Sequence, residues 1–156
     1  MLVNAGMHPV GRLDADTSGL ILFSSDGVLT QRLLHPRHEV EKEYVATVEI
    51  EGSAENIDED LLRSKLLKGV ETSEGIHTAS LLRVVDSEYG DGLFDLTLTV
   101  KEGKHRMVRR MLANCGFPVV ELKRERHGEI LLADLDEGEF RGMQDNELDW
   151  IQSLLD

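Results

Sequence analysis

The sequence is poor in the residues that crosslink small secreted domains and in the apolar runs that span membranes. It contains one cysteine, Cys115, among 156 residues, so no disulfide can form within the chain. No apolar run approaches the roughly 18 residues of a membrane-spanning helix, and the amino terminus shows no signal-peptide pattern. These absences exclude the disulfide-rich and membrane-spanning classes. We therefore expect a cytoplasmic protein, with an organelle stroma as the alternative.

Basic residues are also scarce. The 17 Lys and Arg residues face 30 Asp and Glu residues, which gives a net charge of −13, and such an excess of negative charge by itself argues against a nucleic-acid partner. The distribution is uneven, however, because residues 101–127 hold eight basic and three acidic side chains and leave −18 elsewhere. The segment predicts one basic patch on an acidic body, either an RNA-facing surface or a solvated run of charge.

The length corresponds to about one domain. We expect residues 1–156 to form a single unit, because the chain has no internal repeat, low-complexity tract or proline-rich linker. Strands are predicted at 20–23, 40–50, 79–85, 93–100 and from 118 onward, and helices end near 34, run through 61–66, and cover 104–115 and 145–155. Strands that alternate with helices, together with one hairpin, predict an α+β fold with a mixed sheet.

Hydrophobic periodicity assigns faces to three of these elements. In the strand 40–50, alternation turns Lys42 and Tyr44 toward the same side as the apolar residues and Thr47 toward water. The helix 104–115 is amphipathic, with Met107, Val108, Met111, Leu112 and Cys115 on one arc and Arg106, Arg109 and Arg110 on the other. The last helix is expected to present Leu148, Ile151 and Leu155 to the core.

The most informative stretch is residues 9–20, Pro-Val-Gly-Arg-Leu-Asp-Ala-Asp-Thr-Ser-Gly-Leu. It surrounds Asp14 with an arginine, two glycines and a pair of hydroxyl groups just before an apolar run. A carboxylate at a glycine-flanked turn can be oriented by backbone amides, which suits nucleophilic or general-base chemistry on a sugar. A lone aspartate in a turn is more often an Asx-turn or a helix cap, so the assignment of Asp14 depends on its surroundings.

Residue by residue, this stretch resembles the G-R-L-D-x-x-T-S-G-L signature of pseudouridine synthases, in the RsuA/RluB-type branch that modifies uridines of ribosomal RNA. Two further motifs follow in the same order. Lys42-Glu43-Tyr44 matches the K-x-Y segment, and residues 102–111 are similar to E-G-K-N-R-Q-V-R-R-M. The tail from 122 to 148 is similar to the closing strands. The resemblance implies the pseudouridine synthase fold, a mixed and mostly antiparallel sheet with flanking helices.

The resemblance also implies an activity, the isomerisation of uridine to pseudouridine. The base is detached from its sugar, turned and rejoined through carbon, without a metal or organic cofactor. Asp14 is implied to attack the anomeric carbon or to take a ribose proton, and both roles remain open. Arg109 is the expected basic partner of Asp14, since a guanidinium beside a pocketed carboxylate favours its ionised form. Tyr44 is expected to stack on the target base and to assist proton removal.

The expected partner is a uridine in a ribosomal RNA stem-loop, bound by a monomer without metal or membrane. Arg12 is expected either to fill the space that the extruded uridine leaves or to contact phosphate. Lys42 either meets phosphate or braces the site. The remaining predicted RNA-binding residues are Lys104, Arg106 and Arg110.

The chain departs from the family pattern at several points. His105 and Met107 stand where asparagine and glutamine are usual. We also expect the chain to lack the first strand, with its N-K-P-x-G segment, and the accessory RNA-binding domain. Two other functions therefore stay open. The chain is either a non-catalytic RNA-binding remnant of such an enzyme or, more remotely, a glycoside-cleaving enzyme that pairs Asp14 with Asp16.

Overall fold

The computed structural model describes residues 6–51 and 56–156. The strands are β1 (His8–Val10), β2 (Thr17–Gly19), β3 (Leu22–Ser24), β4 (Lys42–Glu49), β5 (Val70–Thr72), β6 (Gly75–His77), β7 (Ser80–Asp86), β8 (Leu93–Val100), β9 (Val119–His127) and β10 (Ile130–Leu131). The helices are α1 (Gly27–Leu34), α2 (Glu59–Lys68), α3 (Met107–Asn114) and α4 (Asp145–Leu155), with a short 3-10 turn at Pro36–His38.

The main sheet has the order β10-β9-β4-β8-β7 and carries β2 beside β9. The pair β2–β9 is parallel, and the other pairs in this sheet are antiparallel. Strand β4 lies in the middle, where its apolar alternation suits burial between two neighbours. This arrangement confirms the predicted α+β fold with a mixed, mostly antiparallel sheet and flanking helices.

Two hydrophobic clusters hold the molecule together. The larger one joins β4, β8, α2 and α3, and its fully buried side chains include Leu66, Leu96, Leu98, Met111 and Leu112. The smaller one joins β1, α1, β10 and α4 through residues such as Val10, Leu33 and Ile130. The signature stretch passes between these clusters, since Val10 belongs to the smaller one and β2 pairs with the main sheet.

The helix ends follow local sequence rules. Asp26 caps α1 by accepting from the backbone N–H groups of Val28 and Leu29, and Asp58 caps α2 by accepting from that of Leu61. Such a cap stabilises a helix by about 1 kcal/mol. Gly116, with φ of 91°, follows the end of α3 in the left-handed region that glycine adopts readily.

Several predictions about faces and boundaries were wrong. Thr47 is buried, because its hydroxyl donates to Asp95 Oδ1 at 2.6 Å on the neighbouring strand. Leu148 is 50% exposed and does not face the core, whereas Ile151 packs against the smaller cluster as predicted, together with Trp150 and Leu154. The cationic helix begins at Met107 and not at 104, and the short strand predicted at 20–23 lies at Leu22–Ser24. The β5–β6 hairpin was not predicted.

Candidate active site

A cleft of about 630 Å³ opens between the signature loop, strand β4 and the loop that joins β8 to α3. Six of the eight predicted site residues line it: Arg12, Asp14, Lys42, Tyr44, Lys104 and Arg106. The three motifs, which are separated by tens of residues in the sequence, therefore meet at one place. Among the described residues, no group of three or more His, Cys, Asp or Glu side chains is arranged to hold a metal ion.

The signature loop is held against the sheet by its glycine. Gly19 has φ of 106° and lies opposite Arg124 in the parallel β2–β9 pair. A Cβ atom at this position would lie 2.2 Å from the Arg124 carbonyl oxygen, so only glycine permits the strands to approach this closely. The backbone N–H of Thr17 donates to the Asp14 carbonyl at 2.9 Å, which closes a turn around Asp14. The Asp14 side chain is 30% exposed at the cleft.

Arg106, the residue immediately before α3, connects the start of that helix to both aspartates of the loop. Its guanidinium donates to the two carboxylate oxygens of Asp16 at 2.9 and 3.0 Å and lies 3.8 Å from Asp14 Oδ2. Arg106 has φ of 53°, a left-handed conformation that costs a non-glycine residue free energy. The Arg106 hydrogen bonds, with further attraction from Arg109, lower the pKa of Asp16 to about 2. This ion pair joins the loop to α3.

Arg109 does not make the expected contact with the carboxylate of Asp14. Its Nη2 atom donates to the Asp16 carbonyl at 2.6 Å and lies 3.5 Å from Thr17 Oγ1. The side chain is only 11% exposed, and its buried Nε has no partner within the described part of the chain. Arg109 lies three residues after Arg106, about one turn further along α3, and from there it reaches the backbone carbonyl of Asp16 and not the carboxylate of Asp14. The guanidinium nearest the Asp14 carboxylate is that of Arg106.

Tyr44 and two buried cationic residues, Lys42 and Arg124, form the sheet side of the cleft. Lys42 is 5% exposed, and burial, with a smaller contribution from Arg124, lowers the pKa of its ammonium group to about 8, while Glu102 opposes the shift. Arg124 is 2% exposed and its Nε donates to the Leu20 carbonyl at 2.8 Å. Sequence reasoning placed Arg124 only in the basic segment and did not predict it as a site residue.

Glu102 and His77 form a further contact that the sequence did not predict. His77 Nδ1 lies 2.6 Å from Glu102 Oε1, and Glu102 lines the cleft. His77 is 3% exposed at the end of β6. Nothing in its neighbourhood in the sequence marks it, because the small hairpin becomes adjacent to the motif only through the fold.

The two remaining predicted cations lie apart from each other. Lys104 is exposed on the loop before α3 and lines the cleft. Arg110 does not line the cleft, and its Nη1 donates to the Ser73 hydroxyl in the β5–β6 turn. The predicted cationic face of α3 is therefore divided between the cleft, the signature loop and the hairpin.

This fold and this cleft, with an aspartate and a tyrosine facing one space, define the class that the sequence resemblance implied, a pseudouridine synthase. Residues 2–114 match the model of the RNA pseudouridylate synthase family. The chain belongs to that family.

Relatives and solved structures agree. The chain is 34% identical to ribosomal large subunit pseudouridine synthase B of Bacillus subtilis over 96% of its length, and 36% identical to ribosomal small subunit pseudouridine synthase A of Escherichia coli K12 over 91%. A crystal structure of a pseudouridylate synthase superposes with a TM-score of 0.76 at 30% identity, covering 97% of this chain and 61% of that one. The chain spans 59% and 58% of the length of the two curated relatives.

Proposed function

We propose that this chain isomerises a uridine of ribosomal RNA to pseudouridine and that residues 1–156 form one catalytic domain. Family membership supports the reaction, and the names of the Bacillus subtilis and Escherichia coli relatives support ribosomal RNA as the substrate class. The observation that carries the proposal is that Asp14 and Tyr44 line the same cleft. We further propose that a monomer acts on a stem-loop in the cytoplasm.

Asp14 acts at the ribose of the target uridine. It either attacks the anomeric carbon C1′ or removes a ribose proton, and in both cases the bond from the base nitrogen N1 to C1′ breaks. The base then turns, C5 bonds to C1′, the proton on C5 departs and N1 takes up a proton, so no atom is gained or lost overall. Arg109 serves as a positioning residue, because it fixes the backbone of Asp16 two residues after the catalytic carboxylate.

Tyr44 and the cations at the cleft bind the substrate. The Tyr44 ring stacks on the flipped uracil, since an aromatic face binds an unstacked base well. Arg12 lies in the same loop as Asp14, where it fills the place of the flipped nucleotide or contacts a phosphate. Lys104 and Arg110 contact backbone phosphates, and Arg106 contributes charge while it pairs with Asp16.

Substitution of the proposed catalytic carboxylate tests the function. Asp14→Asn preserves the size of the side chain but removes its charge and replaces one accepting oxygen by a donating amide, so we expect product formation to fall below detection while RNA affinity changes by only a few fold. Asp91→Asn, in the exposed turn between β7 and β8, is the matched control and should leave both quantities unchanged. Pseudouridine is measured in ribosomal RNA fragments after incubation with the purified chain.

Three outcomes are informative. Normal product formation by Asp14→Asn would remove Asp14 from the role proposed for it. If the unmodified chain binds RNA in a salt-dependent manner but forms no product, it is a binding module and not an enzyme. Product that requires Asp14 but appears only in RNA other than ribosomal RNA would overturn the substrate class alone.

A further inference from the structure

Two cationic side chains lie side by side on the sheet floor of the cleft. Arg124 on β9 is the direct cross-strand neighbour of Tyr44 on β4, and Lys42 lies two residues before Tyr44 on the same face. A register shift in β9 occurs beside this pair, between the partners of Glu43 and Tyr44. Such bulges re-aim side chains and are frequent next to active sites.

The charges of these two residues are not balanced by protein carboxylates. Within residues 6–51 and 56–156, neither Lys42 nor Arg124 forms an ion pair, and the buried Nη2 atom of Arg124 has no hydrogen-bond partner. Glu102 attracts Lys42 from a distance, but its Oε1 atom is bound to His77. Buried cations without partners are costly. The floor of the cleft therefore favours a group that carries negative charge.

The neighbouring histidine does not alter this balance. His127 lies opposite Lys42 on β9 and is fully buried. Burial, followed by repulsion from Arg124 and Lys42, lowers the pKa of its imidazole to about 3, so it is neutral near pH 7. The cationic charge on the floor thus comes from Lys42 and Arg124.

Depth indicates which part of an RNA substrate meets these cations. The two side chains are 5% and 2% exposed and adjoin Tyr44, the residue on which we have placed the base. Phosphates remain in the RNA backbone, whereas the flipped base is the part that enters a deep pocket. When the bond between N1 and C1′ breaks heterolytically, its electron pair stays with the base and spreads over N1 and the carbonyl oxygens. A uracil anion then occupies the cleft until C5 bonds to C1′.

We propose that Lys42 and Arg124 bind this detached uracil anion and stabilise the transition state that forms it. The proposal rests on the proposed function. Both cations keep their protons throughout, and the electron pair of the anion becomes the new bond between C5 and C1′. Fixed donors aimed at developing charge in a water-poor site are worth most in the transition state. This proposal assigns Lys42 and Arg124 to the base of the substrate. For Lys42 it replaces the two roles expected from the sequence, contact with a phosphate and bracing of the site.

Binding of free bases tests the proposal without turnover. Uracil, 5-fluorouracil and 5-nitrouracil share the pyrimidine ring but ionise with increasing ease, so calorimetric titration near pH 7, where Lys42 keeps its proton, varies the charge of the ligand. We expect affinity for the unmodified chain to rise about tenfold or more across the series. Lys42→Met should reduce the rise to less than about threefold, and so should Arg124→Lys, because an ammonium group lacks the forked donor geometry of a guanidinium. Lys123→Met, on the exposed side of β9, should retain it.

A second measurement connects binding to the reaction. Lys42→Met should lower kcat for pseudouridine formation by about 10²-fold and leave KM for RNA nearly unchanged, as expected for loss of a donor that acts in the transition state. Lys42→Arg should restore part of kcat, because it returns a cation. Thermal unfolding identifies any variant that fails to fold. If Arg124→Lys does not fold, the base affinities and kcat values of the two Lys42 variants test the proposal without it.

The outcomes separate the alternatives. Equal affinity for the three bases, or a rise that survives in Lys42→Met, would overturn the proposal. If uridine monophosphate binds more tightly than uridine and Lys42→Met removes that difference alone, the subsite takes phosphate and the proposal is wrong. If the chain binds the anionic bases but forms no pseudouridine, the proposed function is contradicted. If the chain forms pseudouridine but shows no preference for the more readily ionised bases, only the role of Lys42 and Arg124 is contradicted.

Discussion

Asp16 was not among the predicted site residues, yet it organises the loop of the site. It accepts two hydrogen bonds from Arg106 through its side chain and one from Arg109 through its backbone carbonyl. The sequence considered it only as the partner acid of a glycosidase. In the structure the carboxylate of Asp16 accepts hydrogen bonds from Arg106 and lies near Arg109, and these cations keep it ionised. A glycosidase of this kind requires instead that one of its two acids be protonated. Asp16 therefore fixes the loop that carries Asp14.

The titration of Asp16 gives a test at this scale. The pKa of Asp16 in the folded chain, about 2, lies below the ordinary aspartate value of 3.8, so the ion pair contributes stability above pH 3.8 and loses it as the pH falls through about 2. Arg106→Met should raise the pKa toward 3.8, measured by carboxyl carbon NMR. Arg110→Met removes the same charge from α3 without an Asp16 contact and should not move it. An unchanged midpoint in Arg106→Met would show that the ion pair is absent in solution.

Single residues also mark the limit of sequence reasoning. That Asp14 and Tyr44 lie at one cleft could be predicted, because each lies in a short motif that resembles the family pattern; their catalytic roles stay predictions. The positions of Arg124 and His77 could not be predicted, since their importance comes from burial and from contacts with residues tens of positions away. Arg109 was placed correctly on its helix but assigned the wrong contact, because a difference of one helical turn decides which guanidinium reaches a carboxylate.

At the scale of elements, most helices and strands could be predicted because their signals are local. The leucines at 61, 62 and 66 predicted α2, whose cap could be either Asn56 or Asp58 and is Asp58 in the structure, and the pattern of 93–100 predicted β8. The packing of α4 could not be predicted in the same way. Its buried Glu147 accepts from Arg141 at 2.7 and 2.9 Å, whereas the adjacent Leu148 faces water. An acidic side chain, paired with an arginine, thus occupies the inward position beside the leucine that the apolar pattern had placed there.

The β2–β9 pair provides a test at the scale of elements. Gly19→Ala places a methyl group against the Arg124 backbone and forces a side chain into a positive φ, which costs about 1–3 kcal/mol for the backbone strain alone. We expect a lower midpoint in urea and a larger loss of product formation than of stability, because the loop carrying Asp14 is displaced. Gly142→Ala, where a Cβ meets nothing within 4 Å, is the control. Equal activity of both variants would contradict this role of the pair.

At the scale of the whole molecule, the basic segment 101–127 does not form one continuous patch. Arg124 is buried, Arg126 pairs with Glu41 and Glu43, and Lys123 pairs with Glu125. Lys104 and Lys101 remain exposed near the cleft. Within this segment, the exposed charge that has no acidic partner therefore lies on the loop before α3, beside the cleft. The net negative charge of the rest of the chain disfavours RNA elsewhere.

Salt dependence tests this distribution. We expect log affinity for a ribosomal stem-loop to fall linearly with log salt, and Lys104→Gln to reduce the magnitude of the slope by about 0.7–0.9, the value for one lost phosphate contact. Lys68→Gln, at the exposed end of α2 and outside the cleft lining, should leave the slope unchanged. Filter binding at several salt concentrations measures both. Identical slopes for the two variants would place the RNA on another surface.

The construction of the cleft has a consequence for the order of folding. Its walls come from residues 11–17, 42–44, 100–108 and 122–124, so the wall on β9 is the last of them along the sequence. A growing polypeptide that has reached only α3 already carries Asp14, Tyr44 and Arg106, yet β2 has no β9 to pair with and the loop has no anchor. The cleft can consequently close only after β9 has emerged from the ribosome, and the parts synthesised first must wait for it.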